Sequence, residues 1–348
     1  MPQCAHVPEG AVVELTALPR TVPPRVSEHG PRLLRESRAW ARAALQPFVE
    51  ANIEPFLADE SPLWMSHCFP DADPVAVRPF YDLYQIMFLL DDLSAVPDAR
   101  PDGRTLAALA AVLSDTRRPA TGLEHLASEA FLATLSGDPP GLAARTRAGM
   151  ATMLNGFTEQ SALWDRASTA RPLTLARAMP VRERAIGIAW YMTNPEHVHS
   201  CDMTGMREQW PLLRELATAL AHQTWFVNDV CSFRKEHFHG EHQNLVCVCL
   251  TSGATLQEAF SLVSGWAAQM QRDYASLAAL ARDDPRGARP PVATYLDALD
   301  TMLAGANAWQ YSTPRYHGPG FHCPPTERSR WALFADRTEL LDPGQAPP

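Results

Sequence analysis

Apolar positions recur at steps of three and four along most of this chain. Between residues 79 and 95, Phe80, Leu83, Tyr84, Met87 and Phe88 share one helical face, which Asp91 continues. Residues 105–114, 142–164, 212–236, 255–283 and 291–312 keep the same period and are rich in Ala, Leu, Met and Gln. Breakers fall between them at Pro139-Pro140, Pro172, Pro180, Pro195, Pro211 and Asp284-Pro285. Strand signals are poor: Val and Ile rarely alternate with polar residues, and Asp102-Gly103 leads into a helical pattern instead of closing a hairpin. The pattern predicts one all-α domain of about ten or more helices over residues 32–325. A proline-rich segment, 1–31, precedes it, and a partly disordered tail, 326–348, follows, ending in Pro343, Pro347 and Pro348.

Composition narrows the function classes. The 348 residues carry 30 Lys and Arg against 39 Asp and Glu, a net charge of −9. That balance argues against nucleic acid or an anionic membrane as a partner, and an anionic substrate would need local cations or metal. A hydrophobic share of 46% with 20% charged residues suits a soluble globular protein. No apolar run reaches the roughly 18 residues of a membrane span, and the first residues show no basic region followed by an apolar one. Seven cysteines, an odd count without a C-x-x-C pair, read as reduced thiols in a cytoplasmic protein.

Two polar clusters stand out. Asp91-Asp92 ends an apolar helical run at Phe88-Leu89-Leu90. Taken alone, such a pair is most often a solvated helix end. Asn228, Ser232 and Glu236 stand four residues apart, so an amide, a hydroxyl and a carboxylate share one helix face. Hard oxygen donors in that arrangement suit Mg²⁺, which keeps water or phosphate oxygens in its remaining positions. Lys235 beside them makes sense if an anion binds there too. His237, His239 and His242 read as a solvated connection past the helix end, Cys247 and Cys249 as core, and Glu159, Gln160 and Trp164 as packing and surface groups.

The run Asn228-Asp229-x-x-Ser232-x-x-Lys235-Glu236, followed by Gly240 and Asn244-Leu245, resembles the second metal motif of class I terpene synthases of the microbial cyclase type. Further features match in order: Arg315-Tyr316 lies 87 residues after Asn228, and Trp309 six before Arg315. Phe88 stands three before Asp91 and Trp64 stands 27 before it. The resemblance covers roughly residues 60–320. It implies a class I terpenoid synthase helical bundle around a central apolar pocket, with two metal motifs facing each other across the mouth. It also implies three Mg²⁺ ions and a linear prenyl diphosphate, farnesyl diphosphate first and geranylgeranyl diphosphate second. The product would be a cyclised hydrocarbon or alcohol with release of diphosphate.

The resemblance carries over to single residues. Asp91 is the expected bridging metal ligand, and Asp92 either binds metal through water or pairs with Arg315. Asn228, Ser232 and Glu236 chelate a further ion. Lys235, Arg315 and Tyr316 donate to the diphosphate, and Arg182, 46 residues before Asn228, is the diphosphate sensor, with Arg184 as runner-up. Ile186 and Gly187 fall at a helix break that presents a carbonyl to the substrate. Trp64, Phe88 and Trp309 shape the hydrocarbon chain, joined by Phe80 or Trp225. Two departures stand beside the matches: no third acid follows Asp91-Asp92 at the usual spacing, since Asp98 lies beyond Pro97, and Ala185 occupies the polar linker position. The competing expectations are a prenyl diphosphate synthase, or a degenerate homologue acting as a binding protein. A second copy of the chain, as a homodimer, is the one protein partner considered.

Overall fold

The computed structural model describes residues 6–49, 52–95, 103–166 and 173–342. Pro97 and Asp98, Pro172 and the prolines of 343–348 lie outside these described residues. The chain opens with strand β1 (Ala11–Leu15), then α1 (Gly30–Ala44), a 3₁₀ turn at Gln46–Phe48, α2 (Glu54–Ala58) and α3 (Leu63–Cys68). Next come α4 (Pro74–Ala95), α5 (Gly103–Leu113), α6 (Gly122–Thr134), α7 (Pro140–Asp165) and α8 (Leu175–Ala185). Three short helices follow: α9 (Ile188–Tyr191), α10 (Asn194–Val198) and α11 (Thr204–Gln209). The remainder is α12 (Pro211–Phe238), α13 (Leu245–Thr251), α14 (Leu256–Asp283), α15 (Pro290–Gln310), α16 (Pro314–His317), β2 (Ser329–Leu333) and β3 (Thr338–Leu341).

The all-α expectation holds for the body of the molecule. Helix α12 is its axis, with every residue from Gln223 to Lys235 except Asn228 buried. A helix covered on all sides must carry either apolar or internally paired side chains, and α12 carries both. Helix α14 forms its largest neighbour, held at the start by a capping box between Thr255 and Glu258. Helix α7 lies so close to α8 and α9 that a Cβ on Gly149 or Gly156 would fall 2.6 Å from the Trp190 or Ala185 backbone nitrogen. Only glycine permits that approach.

Three local expectations change. Pro180 reads as a breaker yet sits inside α8, and Pro79 sits inside α4. Each removes one helical hydrogen bond, and packing of α8 on α7 and of α4 on α6 holds the helices together regardless. Part of the expected proline-rich leader and of the expected tail pair with each other. β1, β2 and β3 form an antiparallel sheet in which Val13 faces Trp331 and Ala11 faces Leu333. Val13 and Trp331 are buried, and Trp331 packs edge-on against Tyr311 at 5.6 Å. Both ends of the described chain are therefore fastened to the helical body, at its α15–α16 corner.

Candidate active site

Helices α4 and α12, the α8–α9 junction and the α15–α16 corner enclose one cavity of about 140 Å³ as measured for the centre of a water molecule. One water needs roughly a tenth of that, so the space suits an organic ligand. Its inner wall is aromatic. Trp64 meets Trp309 edge-on at 5.2 Å and tilts against Tyr191 at 5.4 Å. Tyr84 sits 5.1 Å from Trp190 and 5.9 Å from Phe88, while Trp309 also touches Tyr316 at 5.5 Å. Ring faces of this kind attract a cation by up to about 2 kcal/mol each when dry.

The rim is charged. Steps of four along α12 place Asn228, Ser232 and Glu236 on one face. Asn228 donates through Nδ2 to the Tyr316 hydroxyl at 2.7 Å, so its amide oxygen is the atom that could hold a cation. Asn244, at the start of α13, donates to Glu236 Oε2 at 2.8 Å and to Ser232 Oγ at 3.4 Å, so one amide ties the two donors together. Across the cavity, Asp91 lines the wall from α4. Burial pushes the carboxyls of Asp91 and Glu236 upward, opposed by Arg315 for the first and Arg182 for the second.

Three buried cations face these acids. Arg182 is clamped by Asp229, whose Oδ1 accepts from Nη2 at 2.7 Å and from Nε at 3.3 Å. Lys235 donates to Asp92 at 2.6 Å and reaches Glu241 at 3.5 Å. Arg315 donates to Asp92 at 2.7 and 3.0 Å and to Asp59 at 3.2 Å, and its guanidinium lies 4.8 Å from the Phe88 ring centre. Burial alone would raise Asp92, but Arg315 and Lys235 outweigh it and hold the carboxyl well below the usual range. Burial lifts Glu241 to about 7 despite Lys235. Arg234, from the next position on α12, donates to the carbonyls of Tyr316 and Ala335 at 2.7 Å each, so it fixes the Arg315-Tyr316 turn from below.

Among the described residues, Asp59, Asp91, Asp92, Asp229, Glu236 and Glu241 outnumber Arg182, Lys235 and Arg315 at this rim. An oxygen-rich rim fits a hard divalent cation, with Asp91, Asn228 and Glu236 on the cavity wall as the donors and Ser232 just behind them.

Most of the expected residues meet here: Trp64, Phe88, Asp91, Arg182, Ile186, Asn228, Lys235, Glu236, Trp309, Arg315 and Tyr316 all line the cavity. Asp92 forms ion pairs with Arg315 and Lys235. Gly187 marks the expected break between α8 and α9, at φ 79°, where a side chain would strike the Met153 sulfur at 2.5 Å. Its carbonyl, however, accepts from Trp190 and Tyr191 N–H at 3.1 and 2.8 Å. The α9 turn therefore uses that oxygen, and Gly187 shapes the corner while Ile186 forms the wall. Arg184 points away, paired with Glu159 on the surface. Phe80 packs on His197 at 5.9 Å in the core, while Trp225 reaches the cavity.

Several site residues were not anticipated. Tyr84, one turn before Phe88 on the same face, was legible from the period. Trp190 and Tyr191 lie on a four-residue helix too short to show one. Gln310 lines the cavity with both side-chain amide atoms buried and unpartnered, and Asp229 anchors Arg182 from inside α12.

A family model described as "Terpene synthase family 2, C-terminal metal binding" matches residues 82–273, more than half of the chain. A (12E)-labda-8(17),12,14-triene synthase from Streptomyces cyslabdanicus is 24% identical over 330 residues, 87% of this chain and 92% of that protein. A (3S,6E)-nerolidol synthase from Selaginella moellendorffii is 30% identical over 118 residues, 32% of this chain and 31% of that one. The chain matches about a third of the length of three Selaginella relatives, 31–37%. Among solved structures, a linalool/nerolidol synthase from Streptomyces clavuligerus in complex with 2-fluorogeranyl diphosphate superposes with a TM-score of 0.73 at 20% identity, covering 86% of this chain and 99% of that one. A germacradien-4-ol synthase from Streptomyces citricolor gives 0.71 at 19% identity over 85% and 98%. These likenesses establish the fold.

Proposed function

The chain belongs to terpene synthase family 2, and from that premise we propose that it is a Mg²⁺-dependent class I terpene cyclase. Its substrate is a linear prenyl diphosphate, farnesyl diphosphate before geranylgeranyl diphosphate, and its products are a cyclised terpene and diphosphate. One observation carries this reading: a rim of oxygen donors and buried cations opens onto a wall of aromatic rings within a single cavity.

Asp91, Asn228, Ser232 and Glu236 would hold the metal, three ions when diphosphate is bound, and these would supply Lewis-acid stabilisation of the leaving group. Arg182, Lys235 and Arg315 donate to diphosphate oxygens, with the Tyr316 hydroxyl beside them. Each preorganised donor is worth on the order of 3 kcal/mol toward developing negative charge. Asp229, Asp92 and Asp59 keep those cations in place before substrate arrives, so little reorganisation is needed as the bond breaks. Departure of diphosphate leaves an allylic cation. Trp64, Phe88 and Trp309 keep water away from it and stabilise it through their faces, and Ile186, at the corner made by Gly187, presses on the chain.

Purified protein with Mg²⁺ and farnesyl or geranylgeranyl diphosphate tests the proposal, with extracts analysed by gas chromatography–mass spectrometry and diphosphate release followed in parallel. Cyclised product with equimolar diphosphate supports it. A longer prenyl diphosphate formed only when isopentenyl diphosphate is added would make the chain an elongating synthase. Binding without turnover of either substrate would make it a binding protein. No helix among the described residues is long and apolar enough to cross a membrane.

A further inference from the structure

The last turn of α12, the connection after it and the first turn of α13 bring His237, His242 and Cys247 together beyond Glu236. One ligating atom from each of His237, His242 and Cys247 lies within 4.8 Å of the other two. Three donors on a common tetrahedral ion stand about 3.3–3.8 Å apart, given bond lengths of roughly 2.0–2.3 Å. Closing the difference takes about an ångström, a change of side-chain torsion for two histidines that remain half-exposed.

A second observation points the same way. Nδ1 of His237 and Nδ1 of His242 are both buried without a hydrogen-bond partner. Each such atom costs roughly 1–3 kcal/mol when nothing satisfies it, and finding two of them in one triad with a thiol calls for a common partner. The main chain at His242 is anchored by the Trp164 indole N–H, which donates to its carbonyl at 2.6 Å, and the His237 ring lies against Phe233 at 5.3 Å and 19°, so only side-chain torsions need to change. The donor set of two nitrogens and one sulfur, without a carboxylate, is wrong for Mg²⁺ and right for a borderline-soft ion.

We propose that His237, His242 and Cys247 form a site for a zinc-class divalent ion, distinct from the oxygen-lined rim of the cavity. Both histidines bind neutral, the Cys247 thiol releases its proton to solvent, and water fills the fourth position. The 3.4 Å contact from Val7 N–H to His237 Nε2 is given up if Nδ1 is the ligand, because the other ring nitrogen must then carry the proton. Asn244 lies between His242 and Cys247 and holds Glu236, Ser232 and the Asp229 carbonyl. An ion at the triad therefore clamps the turn that orders one side of the rim.

Cobalt(II) titrated into the metal-stripped full chain, with Mg²⁺ in excess, tests this without reference to turnover. A single equivalent should bind with a thiolate-to-cobalt charge-transfer band, which no site made only of oxygen donors can give, and Zn²⁺ should displace it. The band should vanish in Cys247→Ser, and affinity should fall at least tenfold in His242→Ala. Zn²⁺ should raise the melting temperature of the wild type and leave that of His242→Ala unchanged, a readout that stands if Cys247→Ser does not fold. A wild type without the band, or a band of equal affinity in His242→Ala, overturns the proposal.

Discussion

Asp229 is the residue whose loss should reveal how the rim is built. Its carboxylate is fully buried. Oδ1 accepts from Arg182 twice, and Oδ2 accepts from Leu245 N–H at 2.9 Å and from Trp225 Nε1 at 3.2 Å. Asp229→Asn preserves the volume but removes the charge and turns an NH₂ group toward at least one of these donors. Breaking a buried pair by removing one partner costs about 3–5 kcal/mol, because the other charge stays buried. Unfolding entropy of about 2.1 cal/mol/K per residue gives roughly 0.7 kcal/mol/K for 348 residues. The expected fall in melting temperature is therefore about 4–7 °C. Asp297→Asn is the control: its side chain is 78% exposed and pairs with Arg282 at 3.1 Å, an arrangement worth under about 1 kcal/mol. Differential scanning calorimetry on both variants separates the cases. If Asp229→Asn melts with the control, the Arg182 clamp contributes nothing and the picture of preplaced cations is wrong.

Asn228→Ala removes a proposed ligand while giving up a single hydrogen bond, to Tyr316. Turnover should fall at least ~100-fold, by analogy with loss of other transition-state donors, while the melting temperature moves by only ~2 °C; full activity at ordinary Mg²⁺ would remove Asn228 from the metal site. Trp309→Ala opens the aromatic wall where three rings meet and should redistribute products more than it slows diphosphate release, so an unchanged chromatogram would make Trp309 simple packing. His317 is held neutral by burial, with its pKa lowered to about 3. Above pH 6.5 neither folded nor unfolded chain protonates it, and below that only the unfolded chain does. Stability should thus fall from pH 6.5 toward 3, by a few kcal/mol from this group. Urea titrations of His317→Asn should show a shallower slope, and equal slopes would contradict the assignment.

The helical body was legible because its long elements carry a clean period: α7, α12, α14 and α15 each lie within two residues of the ranges read from the pattern. The sheet was not, because β1 and its partner β2 are separated by more than 300 residues. Strands of four or five residues show too few alternations to register, and pairing across that distance leaves no local trace. At the site, steps of four along α12 place oxygen donors on one face whatever the tertiary structure, so Asn228, Ser232 and Glu236 could be read directly. Asp229 could not. It points away from that face, and its value lies in meeting Arg182 from another helix, a contact that spacing alone does not encode. Proline was the reverse error, since the penalty at Pro180 is local but the packing that overrides it is not.

The charge balance also explains a feature that composition alone made puzzling. A chain of net charge −9 with an acid-rich rim should repel a diphosphate such as that of the proposed substrate. Arg182, Lys235 and Arg315 do not remove the difficulty, because each is already paired with a carboxylate. Asp92 is the clearest case, shared between Lys235 and Arg315 at 2.6 and 2.7 Å. The cations become available to a diphosphate only when something offsets the carboxylates around them, and divalent ions at Asp91 and Glu236 would do so. On this logic metal is a condition for anion binding and not only for bond cleavage. A diphosphate should bind weakly or not at all to the metal-free protein. Isothermal titration with inorganic diphosphate, with and without Mg²⁺, measures the dependence directly, and equal affinity in the two titrations would show that the buried cations act unaided.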